Sequence, residues 1–356
     1  MKIEENRYSD IFLRLKEKQS EVRTSSAMDR IKKLKKLKEA VSITHKQRIR
    51  DALYADFKKP QLEVDFTEIL PFVEEIDYVI KRLPFWLKRQ KVSTPISLFG
   101  SSSYIKYESK GVCLIISPWN FPVNLTLIPL VSAVAAGNSV ILKPSEFTPH
   151  TSALMEEIIK EVFDENEVVL IRGEVETSKE LLKLPFNHIF FTGSPTVGKK
   201  VMEAASKHLT SVTLELGGKS PCIIDKDVDV KKTVNKIAFG KFMNAGQTCI
   251  APDYVFVHES VREQVLDELK KTISEFYPQI KEGSSYVELV NEKHYERIKG
   301  FIDDAKGKNA SVYQQETFSS ECNFIGPTLI SNVNEDMEIM KEEIFGPILP
   351  IKSFKE

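Results

Sequence analysis

A long uncharged stretch limits what this chain can fold into. Residues 111–142 contain no lysine, arginine, aspartate or glutamate, so most of them must leave water. Such a run resembles a membrane span, but Pro118, Pro122 and Pro129 interrupt it. A buried strand, a turn, a buried helix and a second buried strand explain it better, and we expect no membrane span here.

Strands and helices are predicted to alternate from this stretch onward. Short apolar runs predict strands over 112–117, 139–144, 167–173 and 188–193. Amphipathic segments between them predict helices over 124–136, 149–163, 176–183 and 196–208. This alternation predicts a parallel sheet covered by helices, with ligands bound at the carboxyl ends of its strands.

The flanking regions complete a two-lobed α/β chain. Residues 1–90 are predicted to be mostly helical, and the serine-rich segment 93–110 is predicted to form a β-ribbon. A second alternating region begins at 212, with strands over 212–218, 220–225 and 253–258 and helices over 228–243 and 260–276. We expect a cleft between the two lobes.

Charge and cysteine content exclude several classes of function. The 50 basic and 51 acidic residues nearly cancel, so we expect no nucleic-acid partner. The four cysteines, at 113, 222, 249 and 322, show neither CxxC nor zinc-site spacing. The amino terminus is charged and lacks the apolar core of a signal peptide. We therefore expect reduced thiols, a cytoplasmic setting and no metal.

One cysteine stands in an unusual context. Cys249 lies in "KFMNAGQTCIAP", where a predicted helix ends in a loop of small and polar residues that a substrate can approach. Cys113 and Cys222 instead lie in apolar strands, where a thiol acts as a small apolar group. Cys249 is either a structural thiol or a nucleophile, and no histidine stands in a loop motif that identifies it as an activating base.

Two further side chains suit nucleophilic catalysis. Glu215 ends an apolar strand before Gly217 and Gly218, so it can reach a cleft as a general base whose pKa is raised, or lie in a surface turn. Asn120, in the proline-flanked "SPWNFP", can donate a fixed hydrogen bond to an oxyanion, or simply cap the helix that begins near 124.

Two strand ends suit a nucleotide. In "FFTGSPTVGKK" a strand leads through glycine and serine into a helix amino terminus, which favours an anion, although the GxGxxG fingerprint is absent. In "LKPSE" a strand ends at Lys143 and Glu146, which can bind ribose hydroxyls or remain solvated charges.

The ordered set of motifs is more specific than any single one. "PWNFP", "LKPSE", "FTGSPTVG", "ELGGKS", "GQTC" and "EEIFGP" occur in this order from residue 118 to residue 347. Together they resemble the NAD(P)-dependent aldehyde dehydrogenase superfamily, and "GQTCIAPDY" resembles its class 3 branch. The resemblance covers about residues 30–356.

The resemblance implies an aldehyde oxidised to a carboxylic acid with NAD or NADP. Cys249 would be the nucleophile that forms a thiohemiacetal and then a thioester, and Asn120 would hold the oxyanion. Glu215 would activate the hydrolytic water. The implied cofactor contacts are Lys143, Glu146, Gly193, Ser194, Gly198, Glu343 and Phe345.

The resemblance also implies how the domains are divided. The expected fold is a Rossmann-like cofactor domain of 1–92 and 111–211, a bridging ribbon of 93–110 used in oligomerisation, and an α/β catalytic domain of 212–356. Members of the superfamily continue for roughly 100 further residues, about a small domain's length. A homodimer is expected where that segment is present.

Three alternatives stay open at this point. A chain without that segment could bind a nucleotide or a partner and not catalyse. A cysteine-dependent esterase would need no nicotinamide, and an acylating dehydrogenase would pass the thioester to coenzyme A. The sequence leaves open the physiological aldehyde, the preference between NAD and NADP, and any membrane tail.

Overall fold

The chain divides into two compact units in the computed structural model, which describes residues 6–278, 280, 286–315 and 322–356. The first unit contains Met1–Ala52 and Asp65–Glu215, and the second contains Leu53–Val64 and Leu216–Glu356. Each unit is built around its own sheet. The predicted α/β fold class is confirmed.

Helices dominate the amino-terminal region, as the spacing of its apolar residues predicts. They are α1 (Ser9–Thr24), α2 (Ala27–Glu39), α3 (Lys46–Phe57), α4 (Gln61–Val64) and α5 (Leu70–Trp86). Two π-helical turns, Ala40–Thr44 and Asp65–Ile69, interrupt the series and were not expected from the sequence. A π-turn inserts one extra residue into a helix and is frequent at functional sites.

A two-stranded ribbon forms here, but its first strand lies just before the predicted range of 93–110. Strand β1 (Gln90–Val92) pairs in antiparallel fashion with β2 (Ser103–Ile105), and Gln90 lies opposite Ile105. Its connecting turn exposes Ile96 and Phe99 almost completely.

The sheet of the first unit carries the uncharged stretch. Its elements are β3 (Val112–Ile116), α6 (Asn124–Ala135), β4 (Ser139–Lys143), α7 (Pro149–Val162), β5 (Val168–Leu170), α8 (Val175–Leu181), β6 (His188–Gly193), α9 (Pro195–Ser206) and β7 (Ser211–Leu216). The strand order is β5-β4-β3-β6-β7. Every residue of β3 and β4 is buried, because these central strands are covered on both faces.

Parallel pairing in this unit brings several strand ends together. Strand β3 pairs with β4 on one side and with β6 on the other, both in parallel register. The residues that follow Ile116, Lys143 and Gly193 therefore emerge at the same edge of the sheet.

The second unit contains a mixed sheet. Its elements are β8 (Pro221–Ile224), α10 (Val230–Phe242), β9 (Tyr254–His258), α11 (Arg262–Phe276), α12 (Glu292–Gly307), β10 (Ser311–Gln314), β11 (Thr328–Ser331) and β12 (Ile348–Phe354). The strand order is β10-β11-β12-β9-β8, and only β10 pairs in antiparallel fashion among these described strands. Phe242, Val255 and Leu349 are among the fully buried residues of its core.

The lengths and hydrophobicity of the described helices bear on membrane insertion. None of them is long and apolar enough to cross a membrane. The uncharged stretch is accommodated as the buried centre of a sheet instead.

Candidate active site

The loop before Cys249 has an unusual backbone. Asn244 (φ 53°, ψ 30°) and Ala245 (φ 52°, ψ 34°) are consecutive left-handed residues, and neither is glycine. Both are fully buried. Each such residue costs about 1–2 kcal/mol relative to a right-handed conformation, so packing around the loop must hold it in place.

Hydrogen bonds from Gln247 hold this loop. Its Nε2 donates to the carbonyl oxygens of Asn244 (3.0 Å) and Glu288 (3.2 Å), and its Oε1 accepts the Val290 N–H (3.2 Å). Gln247 is fully buried. One amide side chain thus closes the loop and ties it to the segment that precedes α12.

A close backbone approach fixes the other side of the loop. Gly246 has φ +69°, and a Cβ at this position would overlap the carbonyl oxygen of Gly346. Only glycine allows the loop and the segment 342–347 to pack this closely.

The structure places Cys249 in a different environment from the two thiols that lie in strands. Cys249 is partly exposed at the end of this loop. Burial raises the pKa of the Cys113 thiol in β3 to about 12, and burial also raises the pKa of Cys222 in β8. A thiolate is the reactive form, so Cys113 and Cys222 are poor nucleophiles.

Asn120 lies in the turn between β3 and α6. It is 3% exposed, and the turn is anchored at its start by a 2.6 Å hydrogen bond between the Ser117 and Thr126 hydroxyls. The helix that follows has Val123 at its N-cap, and the carboxylate of Glu68 accepts the first helical N–H, from Asn124, at 2.8 Å. An acceptor outside the turn therefore caps α6.

Glu215 lies in strand β7 and is exposed. It stands in extended backbone, not in a left-handed turn. Two residues on, Gly217 packs against another carboxylate, since a Cβ there would overlap Oε2 of Glu343.

Glu343 and Phe345 lie in a segment that is held through its backbone. Arg297 donates to the carbonyl oxygen of Ile344 at 2.7 Å, and Asp253 Oδ1 accepts the Ile344 N–H at 2.8 Å. Burial raises the pKa of Glu343 above its ordinary range, which the backbone N–H of Gly218 partly offsets. Phe345 adopts φ 50°.

The strand-end charges of the first unit form a pair. Lys143, 2% exposed at the end of β4, donates to Glu146 Oε2 at 2.9 Å. The carboxylate balances the buried ammonium, and its partly exposed edge remains able to accept hydrogen bonds from hydroxyls.

The glycine-serine turn leads directly into α9. Ser194 is its N-cap and accepts the Val197 N–H at 3.4 Å, with Pro195 at the first helical position. Ser194 is exposed and Gly198 is buried. The exposed amino terminus of a twelve-residue helix favours negative charge.

Apart from Glu215 in β7, the predicted residues thus lie in two groups, one in each unit. Lys143 and Gly193 end β4 and β6, and Asn120 follows the carboxyl end of β3, at one edge of the parallel sheet. In the second unit the loop of Cys249 packs on the segment of Glu343 and Phe345. Among the described residues, no cluster of histidine, cysteine and acidic side chains could hold a metal ion.

Comparisons with known proteins agree on one family. A family model described as "Aldehyde dehydrogenase family" matches residues 3–356. A relative from Rattus norvegicus, "Aldehyde dehydrogenase, dimeric NADP-preferring", is 42% identical over 96% of this chain and 75% of its own length. "Aldehyde dehydrogenase family 3 member A2" of Pongo abelii is 41% identical over 92% of this chain and 66% of its own.

A solved structure is similar over almost the whole chain. "Substrate bound state of Staphylococcus Aureus AldH" superposes with a TM-score of 0.94 at 41% identity, covering 99% of this chain and 76% of that one. The resemblance predicted from the ordered motifs is confirmed.

Proposed function

The chain belongs to the aldehyde dehydrogenase family and is an NAD- or NADP-dependent enzyme that oxidises aldehydes to carboxylic acids; we propose that Cys249, Asn120 and Glu215 carry this reaction. The partial exposure of Cys249 after a fully buried, left-handed loop is the observation that supports the proposal most. Such a loop presents a thiol in one fixed direction.

Cys249 acts as the nucleophile. Its thiolate adds to the aldehyde carbon, and the carbonyl electrons move to oxygen to give a thiohemiacetal oxyanion. The Asn120 side-chain amide and the Cys249 N–H donate hydrogen bonds to that oxyanion. The burial of Asn120 supports this role, because a donor removed from water stabilises charge more strongly.

Glu215 acts as the general base in the second half of the reaction. Loss of hydride leaves an acyl group on the sulfur as a thioester. Glu215 removes a proton from water, the hydroxide adds to the thioester, and the thiolate leaves as the acid is released. Exposure of Glu215 in β7 supports access to water.

The residues present suit a nicotinamide dinucleotide. We assign the adenosine ribose to Lys143 and Glu146, the pyrophosphate to Gly193, Ser194 and Gly198, and the nicotinamide riboside to Glu343 and Phe345. Helix α9 offers an exposed amino terminus, and the Lys143–Glu146 pair offers a donor and an acceptor. When bound, the nicotinamide accepts the hydride of the aldehyde carbon.

The domain roles follow the same assignment. We propose that 1–92 and 111–211 bind the dinucleotide, that 212–356 supplies the nucleophile, and that the ribbon 93–110 contacts a second copy in a homodimer. Nearly complete exposure of Ile96 and Phe99 supports a contact there, and the rat relative is named dimeric. A cytoplasmic setting would keep the Cys249 thiol reduced.

The proposal is tested by following the absorbance of reduced cofactor, with NAD or NADP and a panel of aliphatic and aromatic aldehydes. Cys249→Ser should abolish turnover, and Cys222→Ser, a second partly exposed thiol, should leave it near the wild-type rate. Glu215→Gln should give a burst of reduced cofactor and then stall as an acyl-enzyme. Turnover by Cys249→Ser, or a Glu215→Gln variant without a burst, would contradict these roles.

A further inference from the structure

Two neighbouring glutamates each contact, within their own unit, one of the loops that carry the proposed nucleophile and oxyanion donor. Helix α4 (Gln61–Val64) runs directly into the π-helical turn Asp65–Ile69, and these nine residues contain the glutamates Glu63 and Glu68. The catalytic roles above involve neither glutamate.

Glu63 contacts the loop of Cys249 within the second unit. Its Oε2 accepts the N–H of Asn244 at 3.0 Å. Asn244 is the first of the two left-handed residues, so this bond holds the loop where its backbone departs from α10. Part of the Glu63 side chain reaches solvent, but burial of its carboxyl group raises its pKa.

The surroundings of Glu63 keep that acceptor in place. The fully buried Lys59 lies four residues earlier, before α4 begins, and its charge opposes the burial-induced rise in the pKa of Glu63. The Phe57 carbonyl accepts the Glu288 N–H at 3.0 Å, and Glu288 also accepts from Gln247. Segment 57–63 and the loop are thus joined twice, through Glu63 and through Glu288.

Glu68 contacts the turn of Asn120 within the first unit. It is fully buried, and its Oε2 accepts the Asn124 N–H at 2.8 Å. The Asn124 side chain donates to the neighbouring Thr67 carbonyl, also at 2.8 Å. The N-cap, Val123, offers no side-chain acceptor, so Glu68 supplies the acceptor oxygen for the first N–H of α6.

We propose that Glu63 and Glu68 are positioning residues: Glu63 sets the direction of Cys249 through Asn244, and Glu68 sets that of Asn120 through Asn124. The inference rests on the proposed roles of Cys249 and Asn120. Each carboxylate acts on a different chemical group, so their removal must have different kinetic consequences.

The test compares Glu63→Met and Glu68→Met, which remove the acceptor oxygens but keep an extended side chain. Two rates are measured on the full chain: aldehyde oxidation with saturating NAD or NADP, and alkylation of Cys249 by iodoacetamide, followed by the mass of its peptide. Glu63→Met should lower both rates by about 10- to 100-fold, since misplacing a reacting group by an ångström costs this much. Glu68→Met should lower kcat by about 10-fold or more and leave alkylation unchanged, because alkylation forms no oxyanion.

The conservative variants Glu63→Gln and Glu68→Gln retain an acceptor oxygen and should keep at least a third of wild-type turnover. They also keep the test decisive if a methionine variant does not fold. Glu74→Met, at an exposed acidic position in α5, is the matched control and should change neither rate.

The inference is overturned if either methionine variant oxidises aldehyde at the wild-type rate, if the glutamine variants lose as much as the methionine variants, or if Glu68→Met slows alkylation as much as oxidation. Failure of the proposed function would appear elsewhere, as turnover by Cys249→Ser. Alkylation of Cys249 in Glu63→Met is read on the thiol itself and does not depend on catalysis.

Discussion

The loop of Cys249 and the turn of Asn120 are both buried, but they are made rigid in different ways. The cysteine loop, 243–249, depends on two left-handed residues, a glycine pressed against the Gly346 carbonyl and the double hydrogen bond of Gln247. The asparagine turn, 117–123, has Pro118 and Pro122, a buried hydroxyl pair and the capped start of α6.

The difference shows two ways of fixing a reactive group. Packing from segments far away in sequence stabilises the strained backbone of the cysteine loop. Changing one close contact should therefore cause a large loss of stability and of activity. The asparagine turn uses residues whose backbones are restricted before folding, so its losses should be smaller and local.

The largest effect should come from Gly246→Ala. A methyl group there meets the Gly346 carbonyl and occupies a backbone conformation with φ +69°. We expect the free energy of unfolding to fall by about 2–5 kcal/mol and more than nine-tenths of turnover to be lost. Denaturant unfolding and the cofactor assay measure the two effects.

Gly240→Ala is the matched control for that substitution. Gly240 lies inside α10, and a Cβ there meets Pro252 at an ordinary 3.5 Å. Stability should rise by about 0.5–1 kcal/mol, because alanine favours a helix. A Gly246→Ala protein that unfolds at the wild-type denaturant concentration would show that the loop is not held by close packing.

Lys241→Met, at the base of the cysteine loop, should raise the free energy of unfolding by an amount that depends on pH. Lys241 is 1% exposed, and burial lowers the pKa of its ammonium group from 10.5 to about 8, with Lys219 acting in the same direction and Asp253 and Glu343 opposing it. Below pH 8 both folded and unfolded chains hold the proton, so the folded chain bears the full cost of the buried charge.

Methionine removes that cost, and we expect the free energy of unfolding to rise by about 1–3 kcal/mol at pH 7. Between pH 8 and 10.5 the unfolded wild-type chain binds more protons than the folded one, so wild-type stability rises with pH and the gain shrinks. Lys231→Met, an exposed position of the same helix, should change stability by less than about 0.5 kcal/mol. A gain independent of pH would contradict the role of charge.

Apart from the controls, the smallest effect should come from the asparagine turn. Thr126→Val keeps the side-chain volume but removes the partner of the buried Ser117 hydroxyl, which should cost about 1–2 kcal/mol. The double variant Ser117→Ala with Thr126→Val should recover most of that loss, as measured by denaturant unfolding. A double variant less stable than Thr126→Val alone would show that the pair is not the main anchor.

Sequence patterns alone predict the elements that are buried along their whole length. Strands β3 and β4 are buried on both faces, so continuous apolar runs identified them, and the strand ends at Asn120 and Lys143 followed. The loop of Cys249 was recognised as unusual from its small residues, but its two consecutive left-handed positions were not predicted, because asparagine and alanine do not require that conformation.

The residues that hold these loops were missed for a different reason. Glu63 and Asn244 are separated by 181 positions and Glu68 and Asn124 by 56, so no local pattern links them. The available signal was the placement of Glu68 between apolar residues of "DFTEILPF", where a charge needs a buried partner. The segment 292–354 also went without predicted elements, and it forms α12 and β10–β12.

The buried thiol of Cys113, whose pKa is strongly raised, allows unfolding of the first unit to be followed by thiol reactivity. Because its pKa is about 12 and β3 is covered on both faces, this thiol does not react with mild disulfide reagents while β3 is intact. Unfolding releases it to water and restores ordinary reactivity. The number of thiols titrated per molecule therefore steps upward when the first unit opens, which gives a colorimetric measure of that event independent of catalysis.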